Sequence, residues 1–257
     1  MDKIDSNIWL RTYYEKSYKK PFLFYVLFGT NNMDELKISK SKHNIDGKPE
    51  ELEIITYCKN NGEQRRFIEG FYGDYFGEVL QKKNSSLFEE TIKCNNVTIV
   101  SGEFNDSDTL DYFKNTIGIM QAIIESGITS ILDVQIIEWF EPREWTIKYF
   151  EPKSPEIHRH IKILLSISEI DHKIWLHTRG MRKFGRPDIS IRNLTENKID
   201  IGFEIINRFI EAFAYGLMPD EKKEIRIKGM GKSIFGKILG SYDNLDFNNY
   251  YLEIDGI

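Results

Sequence analysis

Cysteine is scarce in this chain. Cys58 and Cys94 are its only two thiols and no C-x-x-C spacing exists, so neither a disulfide-stapled scaffold nor a cysteine-framed zinc site is available. That usage fits a reducing compartment, with a single bridge between the two thiols as the alternative. No apolar run reaches the roughly 18 residues that a membrane-spanning helix needs, and the opening MDKIDSNIWLRTYYEKSYKK has no apolar core of a secretory signal. A surplus of positive charge is missing too. With 35 Lys and Arg against 40 Asp and Glu, the net charge is -5, which argues against a general nucleic-acid binder or a membrane-surface protein. Nucleophile signatures such as G-x-S-x-G and the metal signature H-E-x-x-H are absent. These absences together read as a soluble cytoplasmic protein that needs no cofactor and no metal.

What is present is enough to build a core. Over 257 residues the composition is 40% hydrophobic and 13% aromatic, so disorder is not the expectation. PFLFYVLFG (21–29) reads as a strand buried on both faces. LEIITY (52–57) and QRRFIEG (64–70) flank Asn61-Gly62 and predict a hairpin, while the stretch 70–86 resists assignment. NNVTIVSGEF (95–104) reads as strand. Leu110, Phe113, Ile117, Met120 and Ile124 then recur at helical spacing behind Asp106, Ser107 or Asp108 as N-cap, with Gly127 just past the end. A strand at 128–137 completes a β-α-β unit. EPREWTIKYF (141–150) starts a helix with Pro142 in its first turn, and Pro152 and Pro155 mark a candidate subdomain boundary near 151–156.

The second half predicts a hairpin (158–168 and 174–178), the strand DISIR, and a helix over 197–215. That helix carries the stripe Ile199, Phe203, Ile206, Ile210 and Phe213. Strands at 223–228 and 248–254 follow. The expectation is an α+β fold, one domain over 1–257. Its sheets are mostly antiparallel and mixed, with amphipathic helices packed on one face, in an arrangement that hints at duplication.

Three features invite chemistry. GMGKSIFG (229–236) contains Gly-Lys-Ser, but a phosphate loop needs glycine at 226, where the chain has Arg226; a flexible glycine loop is the better reading. His158, His160, His172 and His177 fall within 20 residues, with His158 and His160 expected on one strand face; solvated polar residues explain them better than a metal site. The acids Asp106, Asp108 and Asp111 read as helix-start charges.

The third feature is HTRGMRKFGRPDIS (177–190), which puts Arg179, Arg182, Lys183 and Arg186 within eight residues among Gly180, Gly185 and Pro187. Arginine's planar fork suits bidentate capture of phosphate or carboxylate, and glycine allows close approach of the backbone to a ligand. Three readings stay open: a site for an anionic small molecule or an acidic protein partner, a structural salt-bridge knot with acids such as Asp188, and contact with a nucleic-acid backbone, the least favoured. In an enzymatic version the arginines clamp an anion, His177 is the general acid/base and Asp188 orients it.

WLHTRGMRKFGRPD, EIINRFIEAFAYG and LDFNNYYLEI, with DTLDYFKNTIGIMQAIIESG and LDVQIIEWFEPREW, together resemble a family of uncharacterised bacterial proteins with a similar His-Thr-Arg-Gly-Met-Arg-Lys-Phe-Gly-Arg-Pro-Asp core. The likeness covers most of residues 95 to 254. It implies a bacterial origin and one coherent protein. A more distant likeness to domains found near toxin and immunity genes implies an immunity-like interaction role.

Overall fold

Residues 22 to 28 carry no charged side chain and are buried apart from the half-buried Phe22 and Phe24, and they form the central strand of a sheet. The computed structural model describes residues 8–29, 36–220, 225–226 and 233–255. The fold is α+β with two sheets, and the chain divides into two units. Unit 1 comprises 1–9, 23–104 and 110–155; unit 2 comprises 10–22, 105–109 and 156–257.

Unit 1 is built on a five-stranded sheet. Its elements are β1 (Phe22–Phe28), α1 (Lys40–His43), β2 (Glu53–Cys58), α2 (Gly62–Glu69), α3 (Tyr75–Lys83), α4 (Ser85–Thr91), β3 (Asn96–Glu103), α5 (Asp111–Ile124), β4 (Ser130–Asp133), β5 (Glu138–Phe140) and α6 (Pro142–Trp145). The strand order is β2-β3-β1-β4-β5. The hairpin expected around Asn61-Gly62 does not form. Asn61 is instead a helix cap, its side-chain oxygen accepting from the amides of Glu63 and Gln64, and β2 pairs with β3, Thr56 facing Thr98. The unassigned stretch supplies α3 and α4. Ile68, Leu80 and Leu87 from α2, α3 and α4 close a core with Val26, Phe28, Val97, Ile99, Leu132 and Trp139 from the sheet.

The β-α-β order β3–α5–β4 is as expected, but two details of α5 differ. Its N-cap is Leu110, with no side-chain cap, and Asp106 serves elsewhere. Every residue of α5 but Asp111 is buried, so it is a core helix rather than one amphipathic on a single face. Its polar groups are satisfied accordingly: Lys114 donates to Asp46 at 2.6 Å and Asn115 accepts from the Asp46 amide. Gly118 lets α1 approach, since a Cβ there would lie 2.1 Å from the His43 carbonyl oxygen.

Unit 2 holds β6 (Lys162–Ile167), β7 (Ile174–Arg179), β8 (Asp188–Leu194), α7 (Ile199–Ala214), β9 (Ile225–Arg226), β10 (Ser233–Ser241) and β11 (Asn249–Asp255), in the order β6-β7-β8-β11-β10-β9. Neighbouring strands of this sheet run antiparallel except β8 and β11, which run parallel. Helix α7 lies on β7 and β8 with Gly202 seated against Leu176 and Leu194. Its buried stripe runs through Gly202, Ile205, Ile206, Phe209, Ile210 and Phe213, turned from the expected one, so Ile199 and Phe203 are only half-buried. The glycine loop expected at 229–236 lies outside the described residues up to 232, and from Ser233 onward it is strand β10. Gly236 is there for packing, because a Cβ would meet Leu252 at 2.6 Å. Each unit thus carries one sheet and one long helix, but the strand orders differ. Among the described residues no helix is long and apolar enough to cross a membrane.

Candidate functional site

The basic stretch is the connection from β7 to β8 at one end of the unit 2 sheet. Gly180 and Gly185 take positive φ, +112° and +64°, and bracket a single 3-10 turn, Met181–Phe184. Asp188, fully buried, organises the turn from inside. Its carboxylate accepts from the Met181 amide at 3.2 Å, from Thr178 Oγ1 at 2.8 Å and from Asn249 Nδ2 at 2.9 Å. Burial pushes the Asp188 carboxyl up to about 6, against the opposing pull of those hydrogen bonds and of Arg179.

The four cations of the loop separate. Lys183 is fully buried and donates to the carbonyl of His160 at 2.9 Å. Arg179 is buried and donates to the carbonyl of Asp246 at 2.6 Å. Arg186, 1% exposed, pairs with Asp106 at 3.1 Å. Arg11 pairs with the same Asp106 oxygen at 2.6 Å, and the second Asp106 oxygen accepts from the Ser17 amide at 2.8 Å. This buried Arg11–Asp106–Arg186 triad corrects the reading of Asp106 as a helix-start charge. The acid of the knot is Asp106, not Asp188. Arg182 is the half-buried one: it donates to the Asn248 carbonyl at 3.2 Å, and its guanidinium lies 4.3 Å from the Phe22 ring centroid and 4.1 Å from that of Tyr242.

Beside the loop is a pocket of about 240 Å³, formed wholly by unit 2 residues. Arg182 and Arg186 line it from the loop, Lys19 and Lys20 from the N-terminal segment, and Tyr18, Tyr242 and Tyr250 supply aromatic wall, with Pro187, Met218 and Ile238 as apolar floor. Every charged side chain lining this pocket is a cation. The Lys19 ammonium sits 3.3 Å from the centroid of Tyr250 and 4.8 Å from that of Tyr18. The triad behind Arg186 reinforces the sign, since two guanidiniums share one carboxylate and leave one positive charge in a dry environment.

His177 lies elsewhere. Its ring stacks on Trp175 at 3.9 Å and meets Phe247 edge-on at 5.4 Å, and its Nδ1 is buried without a hydrogen bond. Burial, helped by Arg179 and Arg192 and opposed by Asp246, pushes its pKa down to about 4. The bonds of Asp188 go to Thr178, Met181 and Asn249, so it does not orient this ring. The histidines do not share a face: His158 and His160 form a 3-10 turn ahead of β6, and His172 sits in the β6–β7 turn. No group of three or more His, Cys, Asp or Glu is placed to hold a metal among the described residues.

Sequence reasoning found Arg182 and Arg186 and missed Lys19, Lys20 and the tyrosines. Lys19-Lys20 following Tyr18 was visible as a basic pair, but nothing local joins it to a loop more than 160 residues further along the chain. Comparison of the chain with protein-family models, with curated proteins and with solved structures finds no match in any of the three.

Proposed function

We propose that this is a binding protein whose unit 2 pocket receives an anionic group, a phosphate or a carboxylate, carried by a small molecule or by an acidic protein partner. The observation that carries the reading is the lining: four cations and no acid around about 240 Å³. Binding is preferred to catalysis because neither catalytic candidate of the loop lines the pocket: His177 stacks on Trp175, and Asp188 is bonded to Thr178, Met181 and Asn249. The resemblance to bacterial proteins adds the proposal of a bacterial cytoplasmic setting, with an immunity-like role in which the anionic group belongs to the partner.

A ligand that binds the folded state alone stabilises it by mass action, by about 2.7 kcal/mol at a hundredfold excess over Kd. Phosphate or sulfate, compared with chloride at equal ionic strength, should therefore raise the melting temperature of the wild type. In the Lys19→Ala, Arg182→Ala variant that specific rise should disappear while the fold persists. A wild type that responds identically to sulfate, phosphate and chloride would overturn the reading.

A further inference from the structure

Among the described residues β6 has β7 on one side and no strand on the other. The Ser168 amide donates to the Lys173 carbonyl at 2.9 Å, and this sets the phase of the ladder. Antiparallel pairs alternate, so the even-numbered residues of β6 bond to β7, and the backbone groups of Ile163, Leu165 and Ile167 point away from the sheet. The same three residues carry apolar side chains on one face, opposite Thr178, Leu176 and Ile174 of β7. Leu165 is 43% exposed and Ile167 58%, with Ile201 of α7 at 40% close to the same face. Edge strands are ordinarily guarded by a charge, a proline or a bulge. Between Lys162 and Glu169 the sequence ILLSIS has no charge and no proline, and the register with β7 is unbroken.

We infer that β6 is a self-association edge, at which two copies of the chain pair β6 with β6 antiparallel about a two-fold axis through Leu165. The choice of a second copy follows from self-complementarity. A two-fold axis perpendicular to the sheet keeps each face on its own side, so residues that meet must share a face. Centred on Leu165, the pairing sets Leu165 against Leu165 and Ile163 against Ile167. All of them have outward-pointing backbone, and each apolar side chain meets another. The flanking charges do not oppose the arrangement: this register sets Lys162 across from the other copy's Ser168 and Glu169 across from its Ile161, so no like charges face each other. This inference does not depend on the anion pocket.

The register can be read by cross-linking, because directly opposed, hydrogen-bonded residues have Cα atoms about 5.5 Å apart, within disulfide reach. Under mild oxidation Leu165→Cys should give a covalent dimer well above the wild-type baseline set by Cys58 and Cys94. Ile163→Cys and Ile167→Cys should each fail alone and cross-link when mixed. In sedimentation velocity the wild type should move toward twice the monomer mass as concentration rises from micromolar to near-millimolar. Leu165→Lys, with an unchanged circular dichroism spectrum, should remain monomeric. A wild type that stays monomeric throughout, a Leu165→Lys variant that dimerises as the wild type does, or a Leu165→Cys variant that cross-links no better than Leu164→Cys would each overturn the inference.

Discussion

Arg186 has five N–H groups and the structure places an oxygen for each: Asp106, and the carbonyls of Glu15, Gly185, Gly216 and Leu217. Removing it leaves several buried acceptors without a donor, so Arg186→Ala should cost about 3–5 kcal/mol in a urea titration. Arg186→Lys should not restore the loss, because one ammonium lacks the planar fork. Arg182→Ala, which loses only a half-buried stacked guanidinium, should cost about 1 kcal/mol. Two neighbours titrate in opposite senses. The pKa of His177 is lowered to about 4, so its neutral ring supports the fold fully above its ordinary value near 6.5, and that support drains away as pH falls from there toward 4. The pKa of Asp188 is raised to about 6, so its burial opposes folding above pH 6 and is relieved as pH falls from 6 toward 4. His177→Phe keeps a ring on Trp175 and removes one of the two. Its urea midpoint should therefore fall less than that of the wild type, or rise, between pH 7 and pH 5, and an identical fall in both proteins would dismiss the histidine's contribution. The crowd of cations was legible in the sequence. What each cation does was not, because the oxygens they meet come from residues 15, 106, 160, 216 and 246, far outside any local window.

At the scale of elements, those whose pattern is set by burial on one side or on both were legible: β1, β3, α5, β6, β7, β8, α7 and β11. Phe113 of α5 and Phe213 of α7 are both fully buried, and alanine at either should cost about 3–5 kcal/mol; a variant whose denaturation midpoint does not move would take that ring out of the core. The misread elements share a cause. Asn61-Gly62 is a good turn pair and an equally good helix start, and only the packing of Ile68 into the unit 1 core decides between them. α3 and α4 are nine and seven residues long, too short to be stable alone, so tertiary contact selects them. In β10 Gly236, read as part of a loop, makes room for Leu252 of the neighbouring strand, a reason invisible until the strands are paired. The β7–β8 turn was legible as a turn, since its glycines sit where positive φ is required.

For the molecule as a whole, the chain passes from one unit to the other at 9/10, 22/23, 104/105, 109/110 and 155/156. The prolines near 151–156 stand at the last of these passages, and nothing in composition marks the other four. Unit 2 is therefore not equivalent to its longest continuous piece. A fragment of residues 156–257 would hold the sheet and α7 but lack Arg11 and Asp106, leaving Arg186 without its counter-charge. That fragment should show no cooperative urea transition; a sharp one would mean that the triad is dispensable to this unit. The same triad bears on how the protein is made. Eighty residues separate Asp106 from Arg186, and a ribosome adding about 5–20 residues per second needs about 4–16 s to cover them. Throughout that interval the N-terminal segment has been synthesised with its clasp incomplete. Arg11 and Asp106 can meet, with the Ser107 carbonyl and the Ser17 amide beside them, but the Phe184 and Ala214 carbonyls and the second guanidinium do not yet exist. The segment around Arg11 is thus fully secured only late, and the vulnerable period of this protein is the wait for its own second half.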